Sequence, residues 1–204
     1  MLVNSVMSRS VVTTEPSRSV HSAAQLMHEG RFRHLPVLVR GRLVGIVSDR
    51  DVSPRGEGTI GQVMRTDVVS VTPDTPIEVA AQLMLENKIG ALPVIENGSD
   101  ELAGIVTQSD LFEVLARLLG GNGPSTRLEV HVSDLSRQLA EIARLASEHH
   151  APITSLLIVP STSREPSQRI VLRVGTIVVA PFARALREAG LEVETLESPV
   201  AANV

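Results

Sequence analysis

A unit of about fifty residues is written twice in this chain, and the duplication limits the possible folds more than any other feature. Val6-Met7 recurs as Val63-Met64, Ala24-Gln25-Leu26-Met27 as Ala81-Gln82-Leu83-Met84, and Leu35-Pro36-Val37 as Leu92-Pro93-Val94, all at an offset of 57. After a two-residue insertion, Gly45-Ile46-Val47-Ser48 recurs as Gly104-Ile105-Val106-Thr107 and Asp51 as Asp110, at an offset of 59. Two units are too few for a solenoid, which needs about three. Two copies of one unit instead pack face to face about a pseudo-twofold axis, where equivalent loops meet and leave paired clefts.

Both copies predict the same order of elements. β-Branched density marks a short strand at Ser10–Thr14 and again at Val68–Thr72, with Pro16 and Pro73 as breakers. A helix follows, clearest in the second copy. There Thr75 is placed as N-cap, Pro76 at the first helical position and Glu78 in a capping box. Val79, Ala80, Leu83 and Met84 form its apolar face, and Gly30 and Gly90 lie near the helix ends, where left-handed backbone is common. Two hairpins are expected, Leu35–Val39 with Leu43–Val47 and Leu92–Ile95 with Leu102–Val106. A second helix starts after Ser48 and after Thr107. The later one carries Leu111, Val114, Leu115 and Leu118 and stops at Gly120-Gly121.

Gly120–Ser125 reads as a linker, because glycine is flexible and Pro124 blocks helix continuation. Beyond it the order changes. Strand Thr126–Val132 places Leu128, Val130 and Val132 on one face. A helix capped by Ser133 or Asp134 carries Leu135, Leu139, Ile142, Ala143 and Ala146. Strands Ile153–Val159 and Arg169–Val174 flank a polar stretch, Ser161–Gln168. A helix within Ile177–Ala189, certain from Pro181, is closed by Gly190, and Leu191–Leu196 is the last strand. This is the split βαββαβ order. The expected fold class is therefore α/β (α+β), with repeat 1 over 1–57, repeat 2 over 58–119, a linker at 120–125, a ferredoxin-like domain over 126–197 and a tail at 198–204.

Composition narrows the function. Hydrophobic residues make up 43% of 204, but aromatics only 1%: Phe32, Phe112 and Phe182. A bound nucleobase must then rest on aliphatic side chains and backbone. A single-strand nucleic-acid surface lacks its usual stacking platforms. The net charge of −4 gives no basic excess for a phosphate backbone. Without cysteine there is no disulfide, zinc-thiolate site or thiol nucleophile. The first residues lack a basic-then-apolar signal, and no apolar run approaches the roughly 18–20 residues of a membrane span, so a cytoplasmic protein is expected.

Residues 1–118 resemble a tandem pair of CBS domains (cystathionine β-synthase-type repeats). The resemblance is carried by Leu35-Pro36-Val37 and Leu92-Pro93-Val94, with the Gly-hydrophobic-x-(Ser/Thr)-x-x-Asp segments Gly45–Asp51 and Gly104–Asp110, in order and twice. It implies a non-enzymatic regulatory module binding AMP, ADP, ATP or S-adenosylmethionine in the clefts. It also implies that Asp51 and Asp110 accept hydrogen bonds from ribose hydroxyls and that Ser48 and Thr107 lie near the ribose or phosphate. The backbone of Val12, Thr13, Val69 and Ser70 would line the base pocket with Leu35, Pro36, Val37, Leu92, Pro93 and Val94. The chemistry agrees, since vicinal hydroxyls are donors and an ionised carboxylate only accepts. Residues 126–197 resemble ACT domains through Ser133–Ala143 and Ile153–Ile158. Ser136 and Arg137 stand where that family commonly has Pro-Gly before the helix, so its amino-acid site is not expected here. The combined order resembles acetoin-utilisation proteins of the AcuB type. Both families also imply a homodimer and an unidentified regulated protein.

A simpler role competes at the same residues. Ser48-x-x-Asp51 and Thr107-x-x-Asp110 fit the capping pattern, which accounts for them at about 0.5–2 kcal/mol per cap, and one carboxylate can serve both ends. The copies differ in charge: Arg31, Arg33, His34 and Arg50 in the first match Lys88, Gly90, Ala91 and Ser109 in the second. Arginine suits phosphate, so Arg33, His34 and Arg50 are phosphate candidates, with a solvated basic surface as the alternative. A structural or interaction module also remains open, its clefts empty or holding Mg²⁺ through Asp49, Asp51 and Asp110, because Mg²⁺ takes oxygen ligands. No metal is required. His149-His150 point about 100° apart on a helix, and His21 and His28 have no third ligand. Met7, Met27, Met64 and Met84, at repeat-equivalent positions, are expected in the core.

Overall fold

The proline of each Leu-Pro-Val strand decides how its small sheet is built. In the computed structural model, a 3-10 turn at Val3–Ser5 precedes helix α1 (Val20–Gly30), strands β1 (His34–Val39) and β2 (Arg42–Ser48), and the single turn α2 (Asp49–Val52). The second copy has α3 (Ile60–Val63), α4 (Ile77–Asn87), β3 (Ala91–Ile95), β4 (Leu102–Thr107) and α5 (Gln108–Leu118). Both hairpins form as expected, with Pro36 opposite Ile46 and Pro93 opposite Ile105. Their registers slip at equivalent points, between Val37 and Leu38 and between Val94 and Ile95. Arg40 (φ 53°) and Gly41 (φ 82°) turn the first hairpin, as the twist of paired strands favours.

The expected strands Ser10–Thr14 and Val68–Thr72 are each reduced to one parallel bridge, Thr14 with Val37 and Val71 with Val94. The Thr14 N–H donates to the Pro36 carbonyl (3.0 Å) and the Leu38 N–H to the Thr14 carbonyl (2.9 Å); Val71 repeats this with Pro93 (3.1 Å) and Ile95 (2.9 Å). The next parallel rung would run from the nitrogens of Pro36 and Pro93 to the carbonyls of Val12 and Val69. Proline has no N–H, so the ladder stops there.

The duplicated sequences and the two cores interleave. Val3 and Met7 pack into the core of the second copy, with Val71, Ala80, Met84, Leu92, Val94 and Val106. Ile60, with half-buried Val63 and Met64, packs into the first, with Val20, Ala23, Met27, Leu35, Val37, Val47 and Val52. The four repeat-equivalent methionines are thus core residues. Each crossing is pinned by an antiparallel bridge, Ser8 with Ile105 and Arg65 with Ile46. The motif glycines permit that approach. A Cβ on Gly104 would lie 2.8 Å from the Ser8 carbonyl oxygen and 3.0 Å from Met7 Sδ; one on Gly45 would lie 2.8 Å from Met64 Sδ and 3.0 Å from the Arg65 carbonyl oxygen.

Three local expectations are corrected. Thr75 does not cap α4: its hydroxyl accepts from the Thr72 N–H at 3.1 Å, Pro76 takes the cap position, and no capping box forms with Glu78. A side-chain cap appears instead on α1, where Ser19 accepts from the Ser22 N–H at 3.1 Å. The left-handed residues closing α1 and α4 are Arg31 and Lys88, not Gly30 and Gly90; their N–H groups each reach two helix carbonyls. Val79 is 42% exposed, and Ile77 packs on the core with Ala80, Leu83 and Met84.

The remaining elements are β5 (Thr126–Val132), α6 (Leu135–Glu148), β6 (Ile153–Val159), β7 (Gln168–Val174), α7 (Ala180–Glu188) and β8 (Glu192–Leu196). They form one antiparallel sheet, ordered β6-β7-β5-β8, which is the split βαββαβ arrangement. Leu128, Val130 and Val132 face Ile142 and Phe182 in its core, and Asp134 caps α6 by accepting from the Arg137 N–H at 3.1 Å. Ala143 is exposed, and Leu145 takes its expected place in the core.

The structure describes residues 1–52, 56–120, 125–161, 168–176 and 178–196. The linker residues 121–124, the polar stretch 162–167, Ile177 and the tail 198–204 lie outside the described residues. The chain divides into two compact units, Met1–Val114 and Leu115–Val204. Among the described residues no helix is long and apolar enough to cross a membrane.

Candidate functional site

At the start of α2, Asp51 Oδ2 accepts from the Ser48 N–H (2.8 Å) and from the Ser48 hydroxyl (2.6 Å). At the start of α5, Asp110 Oδ2 accepts from the Thr107 N–H and hydroxyl, both at 2.7 Å, and the Asp110 N–H donates back to the Thr107 hydroxyl at 3.4 Å. The carboxylate half of the capping pattern is therefore realised in both copies and, among the described residues, the return bond from a helix N–H to the hydroxyl only in the second. It uses one oxygen only. Oδ1 of each half-buried aspartate accepts no hydrogen bond from any described residue. A carboxylate offers about four acceptor sites, so half of each remains for donors from outside.

Asp51 lines a cleft of about 440 Å³, within the roughly 300–1,000 Å³ of small-molecule sites. Arg33, His34, Ser48, Asp49 and Arg50 come from the first copy. Arg65, Asp67 and Val69 come from the segment that crosses between the cores, and Lys88, Gly90 and Gln108 from the second copy. Among the described residues Arg33, Arg50, Arg65 and Lys88 make no salt bridge, although three aspartates share the cleft. Burial holds the His34 imidazole below its ordinary pKa of 6.5. Arg33 and Arg50 push it the same way, against the opposing pull of Asp49 and Asp51.

The cleft gathers Arg33, His34, Ser48, Arg50, Asp51 and Val69 from the residues singled out in the sequence. Thr107 and Asp110 repeat the Ser48–Asp51 geometry at α5. The side chains of Leu35, Val37, Leu92 and Val94 are wholly buried in the two cores, and Pro36 and Pro93 are buried beside them, so these six can offer a ligand only backbone. Val12 is 43% exposed and Ser70 half-buried. Thr13 lines a different hollow of about 590 Å³, with Glu15, Arg18, Glu29 and Arg40. Arg65, Asp67, Ile89 and Gln108 also line the Asp51 cleft and were not singled out. For Arg65 and Asp67 a signal existed: they sit between two duplicated segments, Val63-Met64 and Val68–Thr72, where the chain must pass from one core to the other. No group of three or more His, Asp or Glu side chains is placed to hold a metal among the described residues, and Asp49, Asp51 and Asp110 form no such group.

The CBS domain model matches residues 3–54 and 60–117. The chain belongs to the CBS-domain family. The CBS domain-containing protein YhcV of Bacillus subtilis is 34% identical over 116 residues, a span covering 53% of this chain and 81% of YhcV. Six longer relatives, among them the inosine-5′-monophosphate dehydrogenase of Korarchaeum cryptofilum (40% identical over 106 residues, 51% of this chain), are named as enzymes, and the chain spans only 22–24% of their length. Among solved structures, the CBS domain pair of protein MJ0100, in complex with 5′-methylthioadenosine and S-adenosylmethionine, matches with a TM-score of 0.55 and 26% identity, over 57% of this chain and 97% of that one. The Vibrio cholerae protein named for acetoin utilization (AcuB) matches with a TM-score of 0.53 and 32% identity, over 61% of this chain and 98% of its own.

Proposed function

We propose that the duplicated unit is a regulatory receptor for an adenosine-containing ligand (AMP, ADP, ATP or S-adenosylmethionine) and that it catalyses no reaction itself. The observation that carries this reading is the divided carboxylate: Oδ2 of Asp51 and of Asp110 braces a helix start while Oδ1 is left for two ribose hydroxyls. The prolines add a second element. By ending the parallel ladder they leave the carbonyls of Val12 and Val69 unpaired by the adjoining strand, and a purine amino group is a donor that such a carbonyl can accept. The adenosyl ligands held by the CBS pair of MJ0100 support the same reading.

A ligand regulates only by binding two arrangements of the chain unequally. The segment Arg65–Val69 lines the Asp51 cleft and joins the two cores, so a ligand there acts on their relative position. Residues 126–197, read as an ACT-like domain, would pass that change to an unidentified regulated protein. A homodimer is part of the proposal. Its support is the edge strand β6, where Leu156, Leu157 and Ile158 are 39–43% exposed, since an open apolar edge invites a second strand.

Titration calorimetry with the four ligands tests the receptor. At least one is expected to give saturable heat. Asp51→Ala or Asp110→Ala should weaken it roughly 10- to 100-fold, because hydrogen bonds to a charged group contribute about 1.5–3 kcal/mol. No heat from any of the four at near-millimolar concentration would remove the receptor.

A further inference from the structure

We propose that the hollow of about 590 Å³ beside α1 is a separate ligand site, confined to the first copy, and that it takes a free α-amino acid. No residue lines both this hollow and the Asp51 cleft. Thr14 carries the inference. It is only 9% exposed, and its hydroxyl makes no hydrogen bond with any described residue. Yet among the described residues no fully enclosed side-chain oxygen or nitrogen lacks a partner, so this hydroxyl opens on the hollow that Thr14 lines. Valine has the same shape and would fill the position with no polar group to satisfy. Val71 does so in the second copy, in the equivalent parallel bridge: Thr14 pairs with Val37, and Val71 with Val94. A hydroxyl taken this far from water without a partner is destabilising, so threonine in valine's place points to a partner from outside.

Four charged side chains line the same hollow: Arg18, Arg40, Glu15 and Glu29. Among the described residues none of them makes a salt bridge, and Glu29 accepts only from the Gln25 amide, at 2.8 Å. The second copy closes the equivalent place. Its backbone turn is the same: the Arg18 N–H donates to the Glu15 carbonyl and the Thr75 N–H to the Thr72 carbonyl, both at 3.1 Å. The offset of 57 turns Glu15 into Thr72, Ser17 into Asp74, Arg18 into Thr75 and Arg40 into Asn97. There the Thr75 hydroxyl accepts from the Thr72 N–H (3.1 Å) and lies 3.2 Å from the Thr72 hydroxyl, and Asn97 Nδ2 donates to Asp74 Oδ2 at 2.7 Å. Those bonds tie the hairpin turn to the turn before the helix. The first copy keeps the backbone and replaces the ties with unpaired charges.

Two cations against two anions leave the hollow with no net charge. A phosphate would meet two carboxylates, a plain cation would meet two guanidinium groups, and an apolar molecule would strip water from all four. An α-amino acid carries both signs on one carbon. Its carboxylate can take the paired N–H donors of a guanidinium, and its ammonium has three donors for carboxylates. The Thr14 hydroxyl can donate to the first or accept from the second. Leu26 and Leu38 offer an apolar wall for the side chain, and the volume lies within the roughly 300–1,000 Å³ of small-molecule sites.

The test is calorimetry of the full chain with each standard amino acid at millimolar concentration. At least one should give saturable heat. Its N-acetylated and carboxamide forms, each lacking one charge, should bind at least about tenfold more weakly, the equivalent of one charged hydrogen bond. Two variants that install the second copy's residues place the site. Thr14→Val should weaken the amino acid by about 2- to 10-fold, as the loss of a neutral hydrogen bond does, and Arg40→Asn by at least about tenfold. The denaturation midpoint of Thr14→Val checks its fold; should it fail to fold, Arg40→Asn, on an exposed turn, decides the matter. Absence of heat from every amino acid overturns the proposal. So does a charge-deleted form that binds as well as its parent, or an amino acid whose affinity survives Arg40→Asn or a folded Thr14→Val, since it would then sit elsewhere on the chain.

Discussion

Single residues set what each repeat can do, and three types act by what they lack. Pro36 and Pro93 lack a donor and so end a ladder; Gly45 and Gly104 lack a Cβ and so admit a crossing segment. Gly104→Ala would press a methyl against the Ser8 carbonyl, a backbone atom that cannot rotate away. We expect a loss of about 1–3 kcal/mol, read as a lowered denaturation midpoint; an unchanged midpoint would show that residues 7–8 do not cross there. His34 lacks its full basicity. Its folded pKa lies below the ordinary 6.5 through burial and through Arg33 and Arg50, which outweigh Asp49 and Asp51. As pH falls through that value the unfolded chain takes the proton first, so stability is intact above it and declines below it, down to the folded pKa. Urea midpoints measured from pH ~7.5 to ~5.5 should fall for wild type, and the fall should be smaller in His34→Gln. An identical fall in both would assign the slope to other groups.

At the scale of elements, most of the architecture was legible and the failures share a cause. The hairpins were readable because Leu-Pro-Val, a turn and Gly-Ile-Val follow one another twice, and the βαββαβ order because its strands alternate and its helices are apolar on one face. Ser10–Thr14 was misjudged because β-branched density reports what a residue tolerates, while a strand also needs a donor opposite it, and Pro36 supplies none. The placing of Thr75 as a cap failed because a pattern cannot tell which N–H a hydroxyl will reach; here it turned back to Thr72. The capping at Ser48 and Thr107 was readable because hydroxyl and carboxylate serve one helix start, whereas Arg65 and Gln108 reach the cleft only through tertiary structure. Ser19 offers a clean test of the cap that propensity did not indicate. Ser19→Ala should cost about 0.5–2 kcal/mol in chemical denaturation. No change would mean that the Ser22 N–H is equally well satisfied by water.

Across the whole duplicated unit, interleaving ties the two copies into one object. Neither copy closes its core with its own leading residues: Val3 and Met7 serve the second, Ile60 and Met64 the first. Burying an apolar side chain of this size contributes about 1.5–3 kcal/mol, so removing residues 1–8 deletes two such contributions from the second core and the antiparallel bridge to Ile105. Hydrogen exchange on a chain lacking those residues should show β3 and β4 losing protection before β1 and β2. If the first hairpin opened first, each copy would be an independent lobe and the exchange of segments would carry no weight. The same logic applies to ligand binding. Arg65–Val69 is at once a wall of the Asp51 cleft and the tether between cores, with Arg65 bridged to Ile46 and Val71 to Val94. A ligand held there must therefore raise exchange protection in both hairpins together, by up to RT ln(1 + [L]/Kd) where the amides exchange through global opening. Protection confined to the hairpin that carries Asp51 would mean that the crossing segment transmits nothing, and a receptor of this design would then have no path from binding to response.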